Sequence, residues 1–139
     1  MTVLRIRTQD VIQHFVRIVV AVVMAVLMAL IVATPSRAQG QTWGDVATTI
    51  NGIIDEGVAA FRAGDAKGGK DKVNDAYYKN YETTGMEKQV MARISGARVS
   101  QVEMEFSLLK KAMTDNDSSA VDEHYATLSN FVREDANTL

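Results

Sequence analysis

Tyr77-Tyr78-Lys79-Asn80-Tyr81-Glu82-Thr83-Thr84-Gly85-Met86-Glu87, followed by Glu103-Met104-Glu105-Phe106, gathers hydroxyls, thioethers and carboxylates into a short span. Oxygen ligands at this density suit Fe(II), Mn(II) or Pb(II) better than Cu(I). The candidate metal ligands are Glu82, Glu87, Glu103 and Glu105, with the imidazole of His124 beside them. Glu87, Glu103 and His124 also have ordinary structural readings. Glu87 can close a capping box begun by Thr84, and Glu103 can be solvated. A lone histidine at the edge of an apolar helix face is commonly a boundary residue. Glu105, set between Val102 and Leu109, is the carboxylate hardest to read as surface. Met86, Met91, Met104 and Met113 could hold Cu(I), but methionine at helical spacing more often fills a core.

Catalysis has little to stand on. The chain has no cysteine, no His-x-x-His or His-Glu-x-x-His pair, and no supported Ser/His/Asp arrangement. Gly68-Gly69-Lys70 lacks the remainder of a phosphate loop and the strand that should precede it. The chain reads as a binding or interaction protein, not an enzyme.

The elements that must position these residues are helical. No proline follows Pro35, and breaks fall at glycine or at Asp/Asn/Ser clusters. Thr42-Trp43-Gly44-Asp45 predicts a capping box. Val46, Ile50, Ile53, Ile54, Val58 and Phe61 then recur on one face up to a stop at Gly64. A second helix is predicted over 66–82, with Val73, Ala76, Tyr77 and Tyr81 inward. A third opens at a Thr84/Glu87 capping box and runs to about Met113. A last one is capped by Ser119 with Asp122 and lined by Val121, Tyr125, Leu128, Phe131 and Val132. Four helices with short connections predict an all-α, up-down-up-down four-helix bundle.

On the third helix Met91, Ile94, Val102, Leu109 and Met113 share a stripe with Glu87, Arg98 and Glu105. Arg98 there calls for a salt bridge, to Glu105 or to a carboxylate of a neighbouring helix. Ser95-Gly96 marks a point where this helix can bend. If it stays straight, Glu103 and Glu105 lie roughly 25 Å beyond the Glu82/Glu87 turn, at 1.5 Å per residue. One ion could not then join the two pairs.

Upstream, Arg5, Arg7 and Arg17 precede an apolar run from Ile18 to Ala33, and small residues stand at Ser36 and Ala38. This order predicts a signal peptide over 1–38, cleaved after Ala38, and an exported, periplasmic or extracytoplasmic domain over 39–139. Residues 18–33 are shorter than the ~20 apolar residues of a membrane span, and an uncleaved anchor is the alternative. Four of 15 basic residues and one of 17 acidic ones lie in the leader. The mature part is left with 11 and 16, a net charge of −5. That balance argues against nucleic acid and anionic lipid, and is compatible with cations.

The segment from about Asn51 to Leu139 resembles the extracytoplasmic N-terminal domain of bacterial FTR1-type high-affinity iron (Fe2+/Pb2+) permeases. The residues that carry the likeness are Ala76-Tyr77-Tyr78 to Tyr81-Glu82, then Gly85 and Glu87, then Val102-Glu103 to Phe106 and Leu109. The resemblance implies a role in iron uptake beside a membrane permease. In that family the pore helices carry Arg-Glu-x-x-Glu. Here Arg133-Glu134 is followed by Asp135-Ala136-Asn137, without the second glutamate, so this chain is not expected to be the pore. Two functions remain open. The domain captures Fe2+ or another divalent cation and hands it to a permease, or it is a helical interaction module of a cell-envelope complex with no ligand of its own.

Overall fold

A computed structural model describes residues 40–139, and they are helical with no strand among them. The expected leader, residues 1–38, and the cleavage point after it lie outside the described residues. No helix among the described residues is long and apolar enough to cross a membrane.

Helix α1 (Trp43–Arg62) begins as the sequence predicts. The Asp45 N–H donates to Thr42 Oγ1 at 3.2 Å, and the Thr42 N–H donates to the Asp45 carboxylate at 2.9 Å, a reciprocal capping box. Its face of Val46, Ile50, Ile54, Val58 and Phe61 is buried, with Ile53 partly so. Gly64 (φ 94°) ends it in the left-handed region, and the Asp65 N–H returns to the Ala60 carbonyl at 3.0 Å.

Helix α2 (Ala66–Asp75) is capped by Asp65, whose carboxylate accepts the Gly68 N–H at 2.8 Å. It continues into a π-helical segment, Ala76–Glu82, where an ordinary helical turn was expected. Side chains there serve carbonyls five residues back. Asn80 Nδ2 donates to the Asp75 carbonyl at 3.0 Å, and the Thr83 hydroxyl to that of Tyr78 at 2.6 Å. These bonds match the i to i+5 spacing of the widened turn. Tyr77 and Tyr81 stack on each other (centroids 6.0 Å, 29°), and both rings pack on Phe106 at 5.2 and 6.0 Å.

The single long third helix does not form. Helix α3 (Met86–Arg93) and helix α4 (Gly96–Asp115) replace it, so the described residues hold five α-helices where four were expected. The Thr84/Glu87 capping box is also absent. Gly85, at φ 85°, is the N-cap with no side-chain bond, and the Thr84 hydroxyl turns back to the Asn80 carbonyl. The break at Ile94–Ser95 has a local cause. Ser95 is extended and its Oγ accepts the Arg98 N–H at 3.0 Å, starting α4 afresh, while Gly96 gives the helix little reason to run through. The inward face is reset accordingly. Met91, expected in the core, is exposed, whereas Val90, Val99, Val102, Phe106, Leu109 and Met113 are buried.

Helix α5 (Ser118–Thr138) is capped by Asp117, not by Ser119. Asn116 turns the chain in the left-handed region (φ 56°), which puts Asp117 in place to accept the Ala120 N–H at 3.1 Å. Asp122 is thereby free to pair with Arg62 at 2.6 Å. Helices α1 and α4 each pack against α2 and α5, and α3 packs on α4 and the π-helical segment.

Arg98 finds its partners on α5. Its Nε donates to Asp135 Oδ1 at 2.7 Å and an Nη to Glu134 at 2.8 Å, and the guanidinium lies 3.9 Å over the Phe131 ring. The expected alternative, Glu105, is not its partner. Asp135 is only 2 % exposed, and burial pushes its carboxyl above the ordinary range against the opposing pull of Arg98.

Candidate functional site

Three of the five candidate ligands share one neighbourhood. Glu82 closes the π-helical segment, Glu87 lies in the first turn of α3, and Glu103 stands on α4. The 25 Å separation of a straight hairpin does not apply, because the break at Ile94–Ser95 lets α3 fold back beside α4. Glu103 accepts the Tyr77 hydroxyl proton at 3.0 Å. Burial, then the charges of Glu103 and Glu82, hold the Glu87 carboxyl above its ordinary value, with Lys88 offsetting part of this. The Tyr77 phenol is pushed up by burial, by its bond to Glu103 and by the charges of Glu87 and Glu82. Among the described residues none of the three glutamates forms an ion pair.

Tyr81 lies behind this cluster. The residue is fully buried and its hydroxyl has no hydrogen-bond partner. Burial first, then the charges of Asp135, Glu87 and Glu103, raise its pKa. A buried phenol beside negative charge and without an acceptor is a costly arrangement. The sequence signalled this pair only through its four-residue spacing, and the role of the two tyrosines as the cluster's floor was not foreseen.

Glu105 and His124 form a separate pair. Two residues beyond Glu103 on an α-helix, Glu105 points to the opposite side of α4. There its carboxylate stands 2.9 Å from His124 Nδ1, with both side chains mostly covered. This contact accounts for a carboxylate on the inward stripe without a metal.

Among the described residues no group of three or more His, Cys, Asp or Glu side chains stands close enough together to hold a metal ion in the present side-chain positions. Glu82 and Glu103 are exposed and Glu87 is half-buried. Compared with family models, with curated proteins and with solved structures, the chain matches none.

Proposed function

We propose that this chain is an exported helical domain that captures a divalent cation, Fe(II) foremost, and hands it to a membrane permease. The observation that carries the reading is the trio Glu82, Glu87 and Glu103, gathered from three elements over Tyr77 and Tyr81 and forming no ion pair among the described residues. Like charges held together in this way stabilise a cation that neutralises them, and oxygen-only ligands favour hard or borderline ions. The likeness of the Tyr77–Glu87 and Val102–Leu109 stretches to the extracytoplasmic domain of iron permeases agrees with it. The accompanying architecture is a cleaved leader followed by an up-down-up-down bundle, with α3 and α4 together as its bent third arm.

Calorimetry under anaerobic conditions tests this. Fe(II) or Mn(II) should bind, Glu87→Gln should weaken binding at least about tenfold, and Glu105→Gln should leave it unchanged. Absence of binding heat, with no metal-dependent change in melting temperature, would contradict the reading. A further result follows from the direction of the Glu87 shift. A carboxyl raised in the folded state takes up its proton earlier there than in the unfolded chain, so folding gains stability as pH falls towards 4.5. Glu87→Gln should therefore raise the melting temperature at pH 7 without metal, and the advantage should vanish below pH 4.5.

A second reading has its own observation. Tyr78, Met91 and Met104 are 56, 53 and 61 % exposed, an unusual display of large apolar side chains. A helical module that docks onto a permease or envelope complex would use them. Loss of co-purification with envelope membranes on Met91→Ser/Met104→Ser, in a protein that binds no metal, would favour this alternative.

A further inference from the structure

Two buried polar atoms of the core have no partner and are chemically complementary. The Tyr81 hydroxyl, on the π-helical segment, is a donor without an acceptor, and Asp135 Oδ2, on α5, is an acceptor without a donor. Arg98 Nε reaches only the other oxygen of Asp135, at 2.7 Å. Both orphan atoms are closed in on all sides, which leaves no room for a bridging water. After burial, the charge of Asp135 is the strongest influence raising the Tyr81 pKa, ahead of Glu87 and Glu103, so the two groups lie within electrostatic reach of each other. Nearly all buried donors and acceptors in native proteins are satisfied. With water shut out, these two have each other.

Tyr81 also rides on a segment with a second register at hand. A π-helical turn is wider than an α-helical one, and short π segments frequently mark functional sites. Here side chains hold the wide register. Asn80 Nδ2 donates to the Asp75 carbonyl at 3.0 Å and the Thr83 hydroxyl to that of Tyr78 at 2.6 Å. We propose that Ala76–Glu82 switches between this wide turn and a second position in which the Tyr81 hydroxyl donates to Asp135 Oδ2. The wide turn keeps the stacking of Tyr77 and Tyr81 on Phe106 together with the two side-chain bonds. The second position gives up part of these and satisfies both buried atoms. Glu82 follows Tyr81 directly and ends the segment, so the switch moves it away from Glu87 and Glu103. In this consequence, which rests on the cation reading, the wide turn captures the ion and the second position releases it.

Relaxation dispersion on the metal-free, ¹⁵N-labelled protein tests the switch without any cation. Backbone amides of 76–82 should show exchange on the μs–ms scale with a minor state of about 0.1–10 %. Tyr81→Phe keeps the ring and its stacking but removes the donor, and should cut the minor population about tenfold or more. Asn80→Ala frees the Asp75 carbonyl and should raise that population. Flat profiles over 76–82 in the wild-type protein, or exchange unchanged in Tyr81→Phe, would overturn the proposal. Release is read separately by stopped-flow dissociation of Mn(II), which Tyr81→Phe should slow about tenfold. Equal rates in the two proteins would overturn the link between switch and release. Exchange that Tyr81→Phe removes, in a protein that binds no Mn(II), would leave the switch standing and contradict the cation reading alone.

Discussion

Arg98→Ala is expected to destabilise the folded domain by about 3–5 kcal/mol, the range for removing one partner of a buried ion pair. Asp135 is 2 % exposed, and its Oδ2 already lacks a partner. The arginine, with 16 % of its side chain exposed, supplies the bond to Oδ1 and the stacking on Phe131. Truncation leaves a buried carboxylate with no counter-charge and also removes a cation–π contact. The loss should shrink as pH falls, since the orphaned Asp135 escapes the penalty by taking a proton. Arg98→Met/Asp135→Leu, which removes both charges and keeps most of the volume, should recover much of the stability. Urea denaturation at two pH values measures all of this. A loss below about 1 kcal/mol for Arg98→Ala, the size of an exposed pair, would mean that Asp135 reaches water.

Gly69→Ala should also destabilise, by about 1–3 kcal/mol or more, as over-packing does. Helices α1 and α2 meet backbone to backbone here. A Cβ on Gly69 would stand 2.7 Å from the Gly57 carbonyl oxygen, and one on Gly57 would stand 2.9 Å from that of Gly69. Neither carbonyl can swing aside, because each belongs to a helix. The methyl group also presses on Phe61 Cβ and Met113 Sδ, at 3.2 and 3.3 Å. Against this, replacing glycine inside a helix stabilises by about 0.5–1 kcal/mol. Gly52→Ala isolates that smaller effect, since it lies in α1 and its Cβ would meet nothing. Opposite signs for Gly52→Ala and Gly69→Ala in thermal melts are the expected outcome. Two stabilised variants would show that the helices are not in close contact.

What could be read from the sequence was what local chemistry decides. The Thr42/Asp45 box, the Gly64 stop and the apolar faces of α1 and α5 depend on residues a few positions apart, and each forms as expected. The pattern after Pro35 predicts helices nearly throughout, and the described residues are helical nearly everywhere. The misreadings arose where two local signals competed. Ser95-Gly96 marks a bend inside a helix on local grounds, yet its capping bond to Arg98 ends one helix and starts another. Thr84 followed three residues later by Glu87 fits a capping box, but Gly85 in the left-handed region takes the cap position. The π-helical turn left no recognisable pattern, since Asn80 and Thr83 declare it only through bonds to carbonyls five residues back.

The candidate site followed the same division. Its residue types were plain from the sequence, while its grouping depended on the break. A continuous third helix separates Glu87 from Glu103, and the broken one brings their charges together. Glu103 and Glu105, neighbours in sequence, end on different sides of α4, one against Tyr77 and the other against His124. Arg98 called for a carboxylate partner, but nothing local could select Asp135, 37 residues away.

Paramagnetic broadening by Mn(II) in the NMR spectrum tests cation capture most directly, because it reports both binding and place. At sub-stoichiometric Mn(II), signals of Glu82, Glu87 and Glu103 and the ring of Tyr77 should broaden first, and Glu87→Gln should suppress the effect. His124 and Glu105 should stay sharp by comparison. Broadening centred on Glu105 and His124, or spread evenly over the acidic surface, would contradict a cation site at Glu82, Glu87 and Glu103.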